Sequence, residues 1–236
     1  MRAERASGGL HSHVASKIRS LQTDLSVPIL DVGCGTGAFL ARLQKLGYSR
    51  LSGADIAVPS PTVDGIEFKE CDLDSGCLPF QSASFALITS VEVFEHIENI
   101  GMLLGEISRI MKPDGSLLIT TPNVHSIEAR LRFLLLDRLK QFDELGDPTH
   151  IFPIILHPFK RILARHQLEI AEIWGFPIDG SSPTSRGVLR ALTRAASAMG
   201  VKSKISGDNL CLLIRHRGDT ADELHLDKRV LVTSHY

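Results

Sequence analysis

The stretch Ile29-Leu30-Asp31-Val32-Gly33-Cys34-Gly35-Thr36-Gly37 runs an apolar strand candidate into a glycine-rich loop. A helix candidate at 37–46 follows directly. Such a strand–loop–helix unit forms a backbone-lined cradle, because glycine tolerates tight turns and lets a ligand approach the chain closely. A dinucleotide fingerprint would space its glycines G-x-G-x-x-G and seat a pyrophosphate on the helix N-terminus. Here the spacing is G-x-G-x-G, and Asp31 stands just ahead of it. An anionic side chain beside the cradle repels a pyrophosphate and suits a cationic, amino-acid-like group. A nicotinamide dehydrogenase is thereby disfavoured.

Outward from this loop the chain alternates. Strand candidates fall at 27–32, 51–55, 66–70, 85–90 and 116–121, with helix candidates at 37–46 and 97–111. Strand–helix alternation with short connections implies parallel strands in an α/β sheet. Gly47 suits the C-terminal cap of the first helix, and Lys112-Pro113-Asp114-Gly115 reads as a tight turn ending the second. Upstream, Val14, Ile18 and Leu21 give a helical hint within a polar stretch.

The rhythm changes after residue 122. Residues 126–140 read as an apolar, arginine-studded helix, and 141–160 as a loop rich in Pro, Asp and His. Then come a helix at 158–167, a strand at 168–174, a basic helix at 183–200 and a last strand at 209–214. The expected organisation is one domain over 1–216, with cap or lid insertions at about 123–167 and 178–205, and a polar tail at 217–236.

At 236 residues the chain can bury a full core without disulfides or metal. Its formal net charge of −1 gives no support for broad electrostatic binding to nucleic acid. Cys34, Cys71, Cys77 and Cys211 form no C-x-x-C pair, so they read as reduced thiols of a cytoplasmic protein. No signal core and no membrane-spanning run is evident in the sequence. The basic amphipathic stretch Arg130 to Lys140 fits a packed lid or interface helix first, and peripheral membrane contact second.

Two further acidic positions follow the cradle. Asp55 lies 22 residues after Gly33 at a strand's carboxyl end, where an acidic group accepts hydrogen bonds from ribose hydroxyls. Cys71-Asp72-Leu73 follows the third strand, and Ser84 to Ile97 carries a fourth strand into a helix entry. Over 27–122 this order of motifs resembles the class I S-adenosylmethionine-dependent methyltransferases, in particular the ubiquinone-pathway O-methyltransferases. The resemblance implies a Rossmann-like, seven-stranded, mostly parallel sheet with helices on both faces and a small inserted helical cap.

It also implies S-adenosylmethionine as cofactor. Asp31, Gly33, Cys34, Gly35 and Gly37 would hold its methionine part, Asp55 and Ile56 the ribose, and Asp72 and Leu73 the adenine. Asp74 is a rival for the last role. Ser90 and Val91, at the end of the fourth strand, would also border the cofactor.

Acceptor-side candidates should lie at the carboxyl ends of the fourth and fifth strands. Glu92, Glu95 and His96 are spaced to share one face of a helix. The pattern Glu-x-x-Glu-His looks like the metal-binding element of ubiquinone-pathway O-methyltransferases and of small-RNA terminal 2′-O-methyltransferases. His150, in Asp147-Pro148-Thr149-His150, is the counterpart of a further histidine in those RNA enzymes. Mg2+ or another divalent metal on Glu92, Glu95, His96 and His150 is one expectation. His96 and His150 as catalytic groups lining the cleft without metal are the other. Asp147, His150, Phe152 and His157 sit where the family inserts a substrate-covering loop. The expected reaction is O-methylation of a small molecule such as a sugar or secondary metabolite. RNA-end 2′-O-methylation and a noncatalytic cofactor-binding partner are the alternatives.

Overall fold

The computed structural model describes residues 8–58, 63–144, 146–177 and 206–218. Seven strands form one sheet: β1 (Ile29–Val32), β2 (Leu51–Asp55), β3 (Ile66–Glu70), β4 (Phe85–Val91), β5 (Met111–Pro122), β6 (Leu168–Phe176) and β7 (Asn209–His216). Their spatial order is β3-β2-β1-β4-β5-β7-β6. The first five pair in parallel, and β7 runs antiparallel to both β5 and β6. The sheet is therefore Rossmann-like and mostly parallel, as the resemblance implies. Strand order reverses beside β1 and β4, which opens a crevice at their carboxyl ends.

Helices α1 (Leu10–Leu21) and α2 (Ala38–Lys45) pack on one face, with Leu10, Val14, Ile18, Phe39, Leu40 and Leu43 buried against Ile29, Leu51 and Leu87. Helices α3 (Ile100–Ile110) and α5 (Leu156–Arg165) cover the other. The reason is visible in α3. Ile100, Leu103, Leu104, Ile107 and Ile110 are all buried, a helical repeat that puts every apolar side chain on one stripe. Burying each contributes about 1.5–3 kcal/mol. The long connection 71–84 carries only a short 3-10 turn at Leu73–Ser75, and Arg109 pins it through the carbonyls of Phe80 and Leu78.

Helix α4 (Ile127–Leu136) begins with a Ser126 side chain that accepts from the Ala129 N–H, and it ends at Asp137, whose φ is +53°. In the loop that follows, Gln141, Asp147, Thr149 and His150 border the cleft at the carboxyl ends of the strands. Lys140 lies just past the end of this helix. It is buried, 3.1 Å from Glu128 and 2.7 Å from Asp208, and ties α4 to the approach of β7.

Two boundaries differ from the sequence reading. Strand β5 starts at Met111, and Lys112 to Gly115 is not a turn outside it. Pairing jumps from Phe85 with Met111 to Leu87 with Ser116, so these residues are taken up as a bulge. Helix α3 starts only at Ile100, behind a 3-10 turn at Phe94–His96. Glu92, Glu95 and His96 therefore share no helical face. The basic helix expected at 183–200 and the tail at 219–236 lie outside the described residues.

Candidate active site

A cleft of about 650 Å3 opens at the carboxyl ends of β1, β2 and β4. Its floor is the glycine loop. Gly33, Gly35 and Gly37 have φ of +76°, +51° and +72°, which an L side chain adopts only with strain. A Cβ on Gly33 would collide with the Val93 side chain, whereas one on Gly35 would meet nothing within 4 Å. Gly35 therefore presents bare backbone to open space, as a cradle must. Gly37 and Ser90 do not line the cleft. Gly37 caps α2, and Ser90 is buried in β4 with no hydrogen-bond partner for its hydroxyl among the described residues.

Of the other expected cofactor contacts, Asp31, Cys34, Asp55, Ile56, Asp72, Leu73 and Val91 all border the cleft. Asp31 is buried and accepts a 2.6 Å hydrogen bond from the Thr89 hydroxyl. Burial pushes its carboxyl up to about 7, against the Thr89 bond and helped by the charge of Asp55. A cation placed in the cleft would stabilise its ionised form. Asp55 accepts from the Gly35 N–H at 2.7 Å, so the ribose candidate also braces the cradle. Ile56 is 70% exposed beside it, an apolar surface with nothing yet packed on it.

Asp72 and its rival Asp74 part company. Asp74 is engaged by the Asn99 N–H at 2.7 Å, and Asp72 caps the 3-10 turn through the Asp74 N–H at 2.9 Å. Asp72 is the more exposed of the two, and both border the cleft.

The opposite wall carries the acceptor-side candidates. Glu95, His96 and His150 offer ligand atoms within 4.8 Å of one another. The His96 Nδ1–H donates to the Thr149 carbonyl at 3.0 Å, and the His150 Nδ1–H donates to the Gln141 carbonyl at 2.8 Å. In the neutral ring each bond sets the tautomer, with the proton on Nδ1 and the lone pair on Nε2. Burial lowers the pKa of His150, which favours that neutral form. Glu95 is fully buried, and neither carboxyl oxygen has a hydrogen-bond partner among the described residues. Burial, with nearby Glu92 adding to it, holds its pKa well above the ordinary value.

Glu92 stands apart from this triad. Its φ of +55° turns it out of β4, and its carboxyl accepts from Thr120 Oγ1 at 3.1 Å and Asn209 Nδ2 at 2.8 Å. Enclosure of that carboxyl pushes it up to about 7, and the two hydrogen bonds oppose the rise. The expected four-residue ligand set thus reduces to three, because backbone geometry commits Glu92 elsewhere.

Within the expected covering loop, Asp147 and His150 border the cleft. Phe152 packs on the core, and His157 lies exposed on α5. Sequence reasoning missed His11, Phe39 and Gln141, which also border the cleft. The Val14, Ile18, Leu21 repeat hinted at the helix that brings His11 there, and nothing in the spacing singled out Gln141.

A methyltransferase-domain family matches residues 10–173, more than half of the chain. A sterol 4-C-methyltransferase from Caenorhabditis elegans is 26% identical over 125 residues, covering 49% of this chain and 36% of that protein. The mitochondrial ubiquinone biosynthesis O-methyltransferase of Rattus norvegicus is 29% identical over 161 residues, covering 62% and 46%. The chain thus spans less than half the length of these curated relatives. The crystal structure of a SAM-dependent methyltransferase from Archaeoglobus fulgidus superposes with a TM-score of 0.57 at 19% identity, covering 86% of this chain and 93% of that one. At that identity the likeness speaks for the fold alone. With the cleft, the strand order and the family match together, the chain belongs to the class I S-adenosylmethionine-dependent methyltransferase family.

Proposed function

We propose that the chain transfers a methyl group from S-adenosylmethionine to an oxygen of a small molecule. The observation that carries this reading is the two-walled cleft. One wall offers a cradle with a buried carboxyl suited to a cation, and the other offers two histidines with free Nε2 lone pairs. When bound, the cofactor supplies the electrophilic methyl group. The residues here have three tasks. Asp31, Gly33, Cys34 and Gly35 seat the methionine end, Asp55 and Ile56 the ribose, and Asp72 and Leu73 the adenine. Holding donor and acceptor in line is worth up to roughly 7–11 kcal/mol of barrier. A hydroxyl acceptor must also lose a proton, and His96 or His150 accepts it at Nε2. The relatives above include both oxygen- and carbon-methylating enzymes, and a neutral imidazole at the cleft wall suits a hydroxyl, whose proton it can take directly through a hydrogen bond.

Helix α4 and the loop to Ile155 act as the cap over this cleft, within one domain spanning 1–216. A divalent metal such as Mg2+ is a second reading of the same wall. Glu95, His96 and His150 present one carboxyl oxygen and two imidazole nitrogens close enough to hold such an ion. It would supply Lewis-acid lowering of the acceptor's pKa. All four cysteines are free, which supports a reducing compartment such as the cytoplasm. Among the described residues, no helix is long and apolar enough to cross a membrane.

The test is labelled-methyl transfer from S-adenosylmethionine into a fractionated metabolite extract, with and without a chelator. Transfer to a hydroxyl compound, lost in His96→Asn and His150→Asn variants that still bind cofactor, is the expected result. Cofactor binding with no transfer to any fraction would overturn it in favour of a noncatalytic binding partner.

A further inference from the structure

His150 is held from behind by a strained peptide. Its Nδ1–H donates to the Gln141 carbonyl at 2.8 Å, and its ring lies beside Phe142 and His96, with centroids 5.4 Å and 4.8 Å away. Gln141 has a φ of +69°, a left-handed backbone that side chains of its kind rarely adopt. Such strain persists only where the surroundings impose it, and it gathers at functional sites. Two features impose it here.

The first is ionic. Lys140, the preceding residue, is buried with its ammonium 2.7 Å from Asp208 and 3.1 Å from Glu128. Glu128 belongs to α4, and Asp208 immediately precedes β7, so one side chain ties residue 140 to a helix and to the sheet. A movement that parts these charges would leave one of them buried and unpaired, which is strongly opposed. The Gln141 side-chain amide adds a longer contact, 3.4 Å to the Asp208 carbonyl.

The second is steric. A Cβ on Gly146 would stand 2.5 Å from the Gln141 carbonyl oxygen and 2.6 Å from its carbon. Only a bare glycine lets the chain close so tightly on that peptide. The Gly146 N–H donates to the Asp143 carbonyl at 2.8 Å, and the Asp143 carboxylate meets Arg132 of α4 at 2.6 Å. The Gln141 peptide is therefore gripped from both sides.

The grip has a chemical consequence. Free histidine in water favours the proton on Nε2, which puts a hydrogen where a base needs a lone pair. A carbonyl can only accept, so at Nδ1 it selects the opposite tautomer.

We infer that Lys140 and Gln141 are positioning residues for His150. The Glu128–Lys140–Asp208 triad and Gly146 clamp the left-handed Gln141 peptide. Its carbonyl then keeps the imidazole proton on Nδ1 and leaves the Nε2 lone pair for the proton of the acceptor. The effect on rate rests on the methyl-transfer reading, whereas the tautomer does not, so the two can fail separately.

The test is long-range proton–nitrogen NMR on the full chain with isotopically labelled histidine, the His150 signal being assigned from a His150→Gln variant. It is run at pH about 8, where the neutral ring dominates, with a chelator present because a metal on Nε2 would impose the same tautomer. Wild-type His150 is expected as the Nδ1–H form. Gln141→Gly tolerates the left-handed backbone and should keep that form. Gln141→Val opposes it through its branched side chain and should shift His150 toward Nε2–H. Both variants lose the same amide, so a difference between them reports the backbone. Gly146→Ala, which crowds the carbonyl without touching residue 141, should shift His150 the same way. So should Glu128→Gln, Lys140→Met and Asp208→Asn together, a set that leaves no lone buried charge. In methyl transfer, kcat of Gln141→Val should lie about 10–100-fold below that of Gln141→Gly, with similar KM for the cofactor.

A wild-type His150 carrying its proton on Nε2 would overturn the proposal. So would an unshifted tautomer in Gln141→Val and Gly146→Ala, or one equally shifted in Gln141→Gly and Gln141→Val. An unshifted tautomer in the folded uncharged set would overturn the part given to Lys140. Tautomers in the expected order, in a chain that transfers no methyl group, would uphold the positioning and sink the methyl-transfer reading.

Discussion

The side-chain amide of Asn209 reaches across 117 residues of sequence to donate a 2.8 Å hydrogen bond to Glu92. It joins the first residue of β7 to the residue that follows β4, at the back of the cleft. Thr120 supplies the other donor to the same carboxyl. These two bonds resist the burial that pushes Glu92 up to about 7. Replacing Asn209 with Leu leaves an enclosed carboxyl one donor short. The expected cost is about 1–3 kcal/mol in urea unfolding. It should be larger above pH about 7, where Glu92 would be ionised, than at pH about 5. An equal loss at both pH values would mean that Asn209 acts through packing alone.

Asp31 ties cofactor affinity to pH. Its pKa is raised from the ordinary carboxylate range to about 7. Between pH about 4 and 7 the unfolded chain has released this proton and the folded chain retains it, so the ligand-free protein loses stability as pH rises through that window. The loss levels off above about 7. A cationic cofactor reverses the preference, because it favours the ionised carboxyl. Calorimetry should therefore show affinity for S-adenosylmethionine rising from pH about 5.5 to about 7.5 and then flattening. Glu92 titrates in the same window, so Asp31→Asn should weaken binding and flatten the slope in part. A slope untouched by Asp31→Asn would remove Asp31 from the cofactor site.

The glycine loop predicts two different failures from one kind of change. At Gly35 an added methyl stands in open cleft space, so Gly35→Ala should fold at a cost of about 1–2 kcal/mol from its left-handed backbone. Its cofactor binding should drop by tenfold or more. At Gly33 the same methyl strikes Val93. Gly33→Ala should therefore lose markedly more thermal stability than Gly35→Ala. Melting curves paired with cofactor titrations separate the two. Normal cofactor affinity in Gly35→Ala would end the cradle assignment.

How far these features could be read from sequence follows from how local they are. Asp31 to Gly37 is one contiguous turn, and Asp55 and Asp72 sit at or just past strand ends, so order along the chain was enough to single out residues that border one cleft. Gly37 was drawn into the site by the same contiguity, although its left-handed backbone serves the helix cap and not the cleft. The acceptor wall was less legible because Glu92, Glu95 and His96 imitate a helical repeat. The left-handed backbone at Glu92 breaks that repeat, and periodicity carries no sign of it. Lys140 was legible only as the end of a basic amphipathic stretch, and the buried Glu128 and Asp208 that enclose it are far from adjacent in sequence.

Glu95 offers the sharpest test of what the acceptor wall does. It is buried without a hydrogen-bond partner among the described residues, and burial holds its pKa well above the ordinary value. A carboxyl that keeps its proton when the cleft is empty resembles glutamine in charge and shape. Glu95→Gln should therefore change unfolding stability by less than about 1 kcal/mol at neutral pH. A metal ion would reverse the preference, since only the ionised carboxyl is a good ligand. Calorimetric titration with Mg2+ or Mn2+, repeated in buffers of different ionisation enthalpy, should then show about one proton released per ion bound to the wild-type chain. It should show little binding to Glu95→Gln. If the wild-type chain takes up no metal while methyl transfer survives a chelator, His96 and His150 remain as bases. Glu95 would then be a neutral wall of the cleft, and its replacement by glutamine would leave the rate nearly unchanged.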